Sequence, residues 1–248
     1  MSVIEISPSR ATIQAGWDDV PHLDETTKRE LLDSTPPHLR EARSKGIPAL
    51  GSGAIYPVPE RDILVDPFPI PDYWPRCYGF DVGWNCTAAA WLAYDRTTDT
   101  AYLNAEHKRG HTEPSIHGSA IKARGEWIPG AVDPAARGRQ QGDGRQLLSM
   151  YRNLDLNIQP ADNAVEAGLY AVWERLATGR LKVFRTLQQW RDEYRLYRRD
   201  EAGKVVKEHD HLMDATRYAV MTGLKIAIVR PAPKGVGRAV VSDPTAGY

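Results

Sequence analysis

The chain has 248 residues, 42% of them hydrophobic and 26% charged, with 32 Lys and Arg against 32 Asp and Glu. That is the make-up of a globular protein with a sizeable core, long enough for one large domain or one domain with an appendage. The equal charges argue neither for nor against a polyanionic partner, no apolar run approaches the roughly 20 residues that span a bilayer, and the first residues lack the regions of a signal peptide.

In chain order, Val3–Ile6 and Ala11–Ala15 each read as a short strand. Asp24–Leu32 reads as a helix with an acidic, capped start, and His38–Ser44, beyond Pro36 and Pro37, as a second short helix. From Gly46 to Pro75 the density of Pro and Gly describes an extended connector, expected to lie against the main domain or to belong to a neighbour. Tyr78–Trp84 follows, a strand rich in aromatic and β-branched residues that carries Asp81. A buried, unpaired carboxylate is costly, so Asp81 calls for a basic side chain, backbone N–H groups or a metal, unless it ends the strand in a turn. Cys77 and Cys86 flank this stretch in no zinc-ligand or CxxC spacing, which suits a reduced, intracellular setting.

Thr87–Tyr94 and Ala101–His107 complete a meander around the polar turn Asp95–Thr100. Pro114–Arg124 reads as a helix with Ile116, Ala120 and Ile121 on one face. Then come a short strand from Gly130 that ends in Asp133, a helix over Gln146–Leu154, a strand over Leu156–Pro160, a helix over Asn163–Thr178 closed by Gly179, and a strand over Leu181–Phe184. Gln188–Tyr194 reads as helical, Arg195–Arg199 and Lys204–Lys207 as the arms of a hairpin, and Asp210–Lys225 as a last helix with Leu212, Ala215, Ala219 and Val220 toward the core. Residues 230–248 read as a mobile tail. Three meander strands followed by strand–helix alternation predict an α/β fold, a mixed sheet with helices on both faces.

The carboxylates carry the chemistry. Asp81 lies on the first meander strand, Asp133 at a strand end, and Asp210 and Asp214 are four apart on one face at the start of the last helix. If strand ends and helix start meet on one sheet edge, these groups repel unless cations compensate them. Hard divalent ions on carboxylate oxygens, Mg²⁺ or Mn²⁺, are the natural compensation. Two such ions about 3.5–4 Å apart are the usual apparatus for attack on a phosphodiester. The bland alternatives are that Asp133 only starts a turn before Pro134, that Asp210 is the helix N-cap, and that His209 and His211 are solvated or hydrogen-bonded rather than ligands. Basic residues follow Asp133 (Arg137, Arg139, Arg145) and precede the last helix (Arg191, Arg195, Arg198, Arg199, Lys204, Lys207), interleaved there with Trp190, Tyr194 and Tyr197. A charge run is usually a solvated face. Near the acidic cluster, Arg139, Arg145, Arg195, Arg198, Arg199, Lys204 and Lys207 become candidates for contact with the phosphates of a duplex.

Five stretches together resemble the nuclease domain of the large terminase subunit of tailed bacteriophages. They are Trp17–Leu23, Gly46–Pro57, Gly79–Trp84, Ala131–Asp133 and Asp210–Tyr218, the last being the most specific. The resemblance runs from about Gly16 to Ala227. It implies an RNase H-like fold over residues 73–229 and cleavage of concatemeric double-stranded viral DNA with two divalent metals. It matches Asp81, Asp133 and Asp214 to the catalytic triad and offers Asp210 as a fourth ligand, without deciding which helix aspartate is the principal one. It also implies the portal and the small terminase subunit as partners in the full motor, and the cytoplasm of an infected or lysogenic host as the location. The chain has no G-x-x-x-x-G-K-[ST] loop, so residues 1–72 are expected to be a linker and the end of a packaging ATPase rather than the motor. Rival readings are an actin-like-fold phosphotransferase, which opens on a similar D-x-G turn, a non-catalytic nucleic-acid-binding module of the same fold, and a resolvase- or transposase-like nuclease.

Overall fold

The computed structural model describes residues 2–7, 10–34, 44–45, 53–134, 144–200 and 203–231. The two N-terminal strands pair as an antiparallel hairpin, β1 (Ser2–Ser7) with β2 (Arg10–Gln14). Helix α1 (Glu25–Ser34) is capped as its sequence suggests, with Asp24 Oδ1 accepting the Thr27 N–H at 2.7 Å. The helix expected over 38–44 falls, except for its last residue, outside the described residues, as do 46–52 and the tail beyond 231.

The described part of the Pro/Gly-rich connector enters the main sheet. Helix α2 (Glu60–Ile63) leads into a two-residue strand, β3 (Leu64–Val65), and Tyr56 and Ile63 are buried in the core. Sequence composition hides this because the prolines flank these short elements instead of interrupting them, and an edge strand tolerates such neighbours.

The sheet continues with β4 (Arg76–Asp81), β5 (Thr87–Asp95) and β6 (Thr100–Arg109), then helix α3 (Pro114–Lys122), β7 (Gly130–Val132), α4 (Gly144–Asn153), β8 (Ile158–Pro160), α5 (Val165–Ala177) and β9 (Leu181–Phe184). Its seven strands run in the order β3-β9-β6-β5-β4-β7-β8. The meander β4–β5–β6 is antiparallel; β7 and β8 extend it in parallel beyond β4, and β9 and β3 beyond β6. It is the mixed α/β sheet that the element order predicts, with β4 in its interior.

Alternation along β5 builds a core on each face. Ala88, Ala90 and Leu92 join a cluster with Leu169 and Val172 of α5, Trp190 of α6 (Gln188–Leu196), and Leu212 and Ala215 of α7 (His211–Tyr218). Ala89 and Trp91 face the other way, toward Ile121 of α3 and Tyr151 of α4. The buried face of α3 differs from the expected one. Pro114, His117, Gly118 and Ile121 are buried, while Ile116 is 46% exposed. His117 is carried inward by a 2.8 Å hydrogen bond to His107 of β6, which offsets the cost of burying a polar ring. The expected hairpin is also shorter. Helix α6 runs through Leu196 and so absorbs Arg195, leaving one bridge among the described residues, Arg199 with Val205, to pair the arms. Helix α7 continues through a π-turn (Ala219–Gly223) into α8 (Leu224–Ile226). No helix among the described residues is long and apolar enough to cross a membrane.

Helix α7 lies directly on β4, and Gly79 permits it. A Cβ at Gly79 would stand 1.7 Å from the Ala215 carbonyl oxygen. The small residues Cys77, Ala88 and Ala90 surround this contact on the same face. Because the obstacle is backbone, no rotamer change relieves it. Gly79→Ala is therefore expected to lose about 3 kcal/mol or more of stability by overpacking. That should appear as a melting temperature lowered by about 6 °C or more in a circular-dichroism melt, whereas an unchanged melt would mean that α7 lifts from β4 at little cost.

Candidate active site

Asp81 is the last residue of β4, and Asp133 follows β7 directly. The two strands are parallel with Phe80 opposite Val132, and the Asp133 N–H donates to the Phe80 carbonyl at 3.0 Å. The two aspartates therefore sit side by side at the carboxyl ends of neighbouring strands, where open α/β sheets gather ligands. Asp214 arrives on α7 through the close packing at Gly79. Burial pushes the Asp81 carboxyl up to about 6, against a hydrogen bond from His211 that lowers it, and the charges of Asp214 and Asp133 raise it further. The three sequence-predicted aspartates thus share one electrostatic site.

Asp210 belongs to the same cluster. It stands at the N-cap position of α7, but its side chain makes no capping hydrogen bond. Glu193 of α6 takes that role: its Oε2 accepts the N–H groups of Leu212 at 2.6 Å and Met213 at 3.3 Å. The buried Glu193 carboxylate is balanced by Lys108, whose Nζ lies 2.6 Å from Oε1. Capped from a neighbouring helix, α7 leaves the Asp210 carboxylate to the site. Helix α6 is held in the same way, with Glu106 of β6 accepting the N–H groups of Gln189 at 3.1 Å and Trp190 at 2.7 Å. The turn into α7 holds His209 at φ 53°, in the left-handed region that a non-glycine residue adopts at some cost.

Protein cations face these carboxylates. His211 Nδ1 lies 2.8 Å from Asp81 Oδ2. That hydrogen bond, with a second to Cys86, raises the imidazole to about 10, so the ring is charged at neutral pH. Lys207 Nζ bridges Asp210 Oδ2 at 3.1 Å and Asp214 Oδ2 at 3.0 Å. Burial lowers the Lys207 pKa, but Asp214 and Asp210 outweigh it and the net shift is upward. Arg217 donates Nε and Nη2 to Asp214 Oδ1 at 3.2 and 3.0 Å. Its guanidinium lies 4.5 Å from the centre of the Tyr218 ring. Gly168 of α5 makes room for its stem, since a Cβ there would stand 2.6 Å from Arg217 Cγ. Among the described residues no three His, Cys, Asp or Glu side chains form a ready-made metal cage.

Sequence reasoning missed Arg217 and Glu193, and it weighed His211 without finding its partner, Asp81. Arg217 carried a local signal, three residues after Asp214 on the same helix face. Glu193 carried none, because its partners lie 19 and 20 residues away on another helix. Of the basic candidates, Arg195 pairs with Glu60 and Asp192, and Arg199 with Glu166. Arg198 and Lys204 are exposed, and Lys207 sits on the acidic pair. Arg145 lies on α4, but its side chain, like the whole of Arg139, falls outside the described residues.

A family model described as the terminase RNaseH-like domain matches residues 78–222. The large terminase subunit of Enterobacteria phage LP7 is 34% identical over 227 residues, covering 88% of this chain and 48% of the relative. The large terminase subunit of Salmonella phage P22 is 34% identical over 223 residues, covering 87% and 45%. The chain thus spans about half the length of these curated relatives. The solved P22 large terminase nuclease domain superposes with a TM-score of 0.67 at 33% identity, covering 72% of this chain and 96% of that one. The large terminase of a thermophilic bacteriophage, at 22% identity, shares the fold, with a TM-score of 0.60 over 84% of this chain and 55% of its own.

The cap from α6 to α7 has a measurable weight. Glu193→Ala removes the acceptor of two N–H groups and strands Lys108, so unfolding in urea should show a loss of about 3 kcal/mol. Glu193→Gln keeps an acceptor and should lose about 1 kcal/mol. Equal, small losses would place the anchoring of α7 elsewhere.

Proposed function

Because the chain belongs to the family of terminase RNase H-like nuclease domains, we propose that it is a metal-dependent endodeoxyribonuclease that hydrolyses concatemeric double-stranded viral DNA with little sequence preference. The observation that carries this reading is the meeting of Asp81, Asp133 and Asp214 at two parallel strand ends and one closely packed helix, each carboxylate bearing on the charge of Asp81. The donor set fits hard cations, since these ligands are all carboxylate oxygens. Asp81, Asp133 and Asp214 would hold Mg²⁺ or Mn²⁺, with Asp210 as the fourth ligand, and a bound pair of ions would supply an activated water and stabilise the leaving oxygen.

The protein's own groups have separable roles. His211 gives Asp81 a cationic partner and so favours its ionised form, the one able to ligate. Arg217 fixes one oxygen of Asp214 and thereby orients the carboxylate. Arg198 and Lys204, exposed at the hairpin, are suited to phosphate contacts, which position a duplex without reading its sequence. In the same reading the portal and the small terminase subunit are partners in the complete motor, ATP hydrolysis resides elsewhere in it, and the host cytoplasm is the place of action. Family membership weighs against the phosphotransferase alternative; the non-catalytic alternative is a matter for assay.

Supercoiled plasmid incubated with the protein and Mn²⁺ or Mg²⁺ should be nicked and then linearised. EDTA and the Asp81→Ala substitution should each abolish the reaction, and equal residual nicking by wild type and variant would end the nuclease reading. Duplex binding measured by fluorescence anisotropy in EDTA should weaken with salt. In the double variant Arg198→Ala, Lys204→Ala the slope of log K against log[salt] should become shallower by about 2. An unchanged slope would remove the hairpin from the DNA path.

A further inference from the structure

The three cations of the site differ in their freedom to leave it. Arg217 is 1% exposed, with its stem against Gly168 and its guanidinium over Tyr218. His211 is tied to Asp81 and to Cys86. Lys207 lies on the segment between the hairpin and α7, and half of its side chain, 50%, is open to solvent. Its ammonium is nevertheless in contact with two carboxylates, at 3.1 and 3.0 Å, that are themselves buried. It touches Oδ2 of both aspartates, while Arg217 occupies Oδ1 of Asp214. The two oxygens of Asp214 are therefore divided between a buried partner and a partly solvated one. Lys207 thus stands between one carboxylate oxygen of Asp210 and one of Asp214.

We propose that Lys207 is an exchangeable counter-ion of the Asp210–Asp214 pair: it neutralises the pair when no metal is bound, and a divalent cation must displace it to enter. This deepens the metal reading above and rests on it. The physical need is plain, because two buried carboxylates one helical turn apart repel, and a folded site without metal has to offset that repulsion from within the chain. Lysine suits an exchangeable role. Its charge is a single point on a flexible stem whose hydration is recovered when it swings into water, whereas a guanidinium in a fixed fork gives up two aligned hydrogen bonds at once. The consequence is a threshold. Metal binding is weakened by the affinity of the lysine for the same oxygens, so the site stays closed to cations that coordinate weakly.

The test is Mn²⁺ binding to the whole chain by isothermal titration calorimetry, without DNA, paired with melting curves with and without Mn²⁺. Lys207→Met removes the charge. Lys207→Gln removes the charge but keeps N–H donors toward both carboxylates, so it guards against a variant that fails to fold. Both should bind Mn²⁺ about tenfold or more tighter than wild type. Both should also melt lower than wild type without metal and gain more from Mn²⁺. Binding that is unchanged or weaker in a folded variant overturns the role of Lys207 while leaving the metal reading intact. Absence of Mn²⁺ binding in wild type and both variants overturns the two together.

Discussion

The contact between strand β4 and helix α7 is the constraint on which the rest of the site depends. Asp81 and Asp214 lie far apart in the chain, one at a strand end and one near a helix start, and nothing local in sequence connects them. They share a site because the backbone of α7 rests on β4 where Gly79 has no side chain and where Ala88 and Ala90 of the next strand are small. Any Cβ at position 79 would meet a carbonyl oxygen and push the helix away. The parallel pairing of β4 with β7 then sets Asp133 beside Asp81 without further help, since adjacent parallel strands end on the same edge.

Bringing aspartates together creates a second constraint, one of charge. The chain meets it by giving Asp81, Asp210 and Asp214 internal cationic partners and by keeping the helix N-terminus from consuming one of them. Glu193 supplies the acceptor that Asp210 would otherwise provide to the first N–H groups of α7. Glu193 is itself buried beside Lys108, and α6, which carries it, is capped by Glu106 from β6. A run of carboxylate-to-amide contacts thus extends from the sheet through α6 to α7 and fixes the height and direction of the helix that bears Asp214. Positioning of this kind is stiff because each acceptor is held by its own element.

Much of the fold was legible in the sequence where the signal is local. The meander, the strand-to-helix alternation and the inward residues of the last helix follow from periodicity, and Asp81, Asp133 and Asp214 stand out because each lies at an element boundary beside apolar residues. What was not legible is tertiary. The face of α3 turns on His117, whose burial makes sense only with His107 opposite. Strand β3 hides among prolines because two residues carry no period. Asp210 looks like an N-cap because the competing acceptor, Glu193, lies on another helix. His211 reads as a solvated or hydrogen-bonded ring with no evident partner until Asp81, 130 residues earlier, is set beside it.

The pairing of different cations with one carboxylate is itself informative. Arg217 and Lys207 take opposite oxygens of Asp214, and their chemistry matches their surroundings. The arginine is buried, and a guanidinium is the more weakly hydrated cation, so it is the one that tolerates a dry position; its planar fork also restrains the carboxylate in orientation as well as charge. The lysine is partly solvated and presents a compact charge without a preferred plane. Exchanging the two residue types would place a strongly hydrated ammonium in the interior and a two-point clamp on the solvent side, making the buried contact costly and the outer one slow to release. The arrangement found makes sense if one oxygen of Asp214 is to stay fixed while the other is to be surrendered, which is what a metal entering between Asp210 and Asp214 would require.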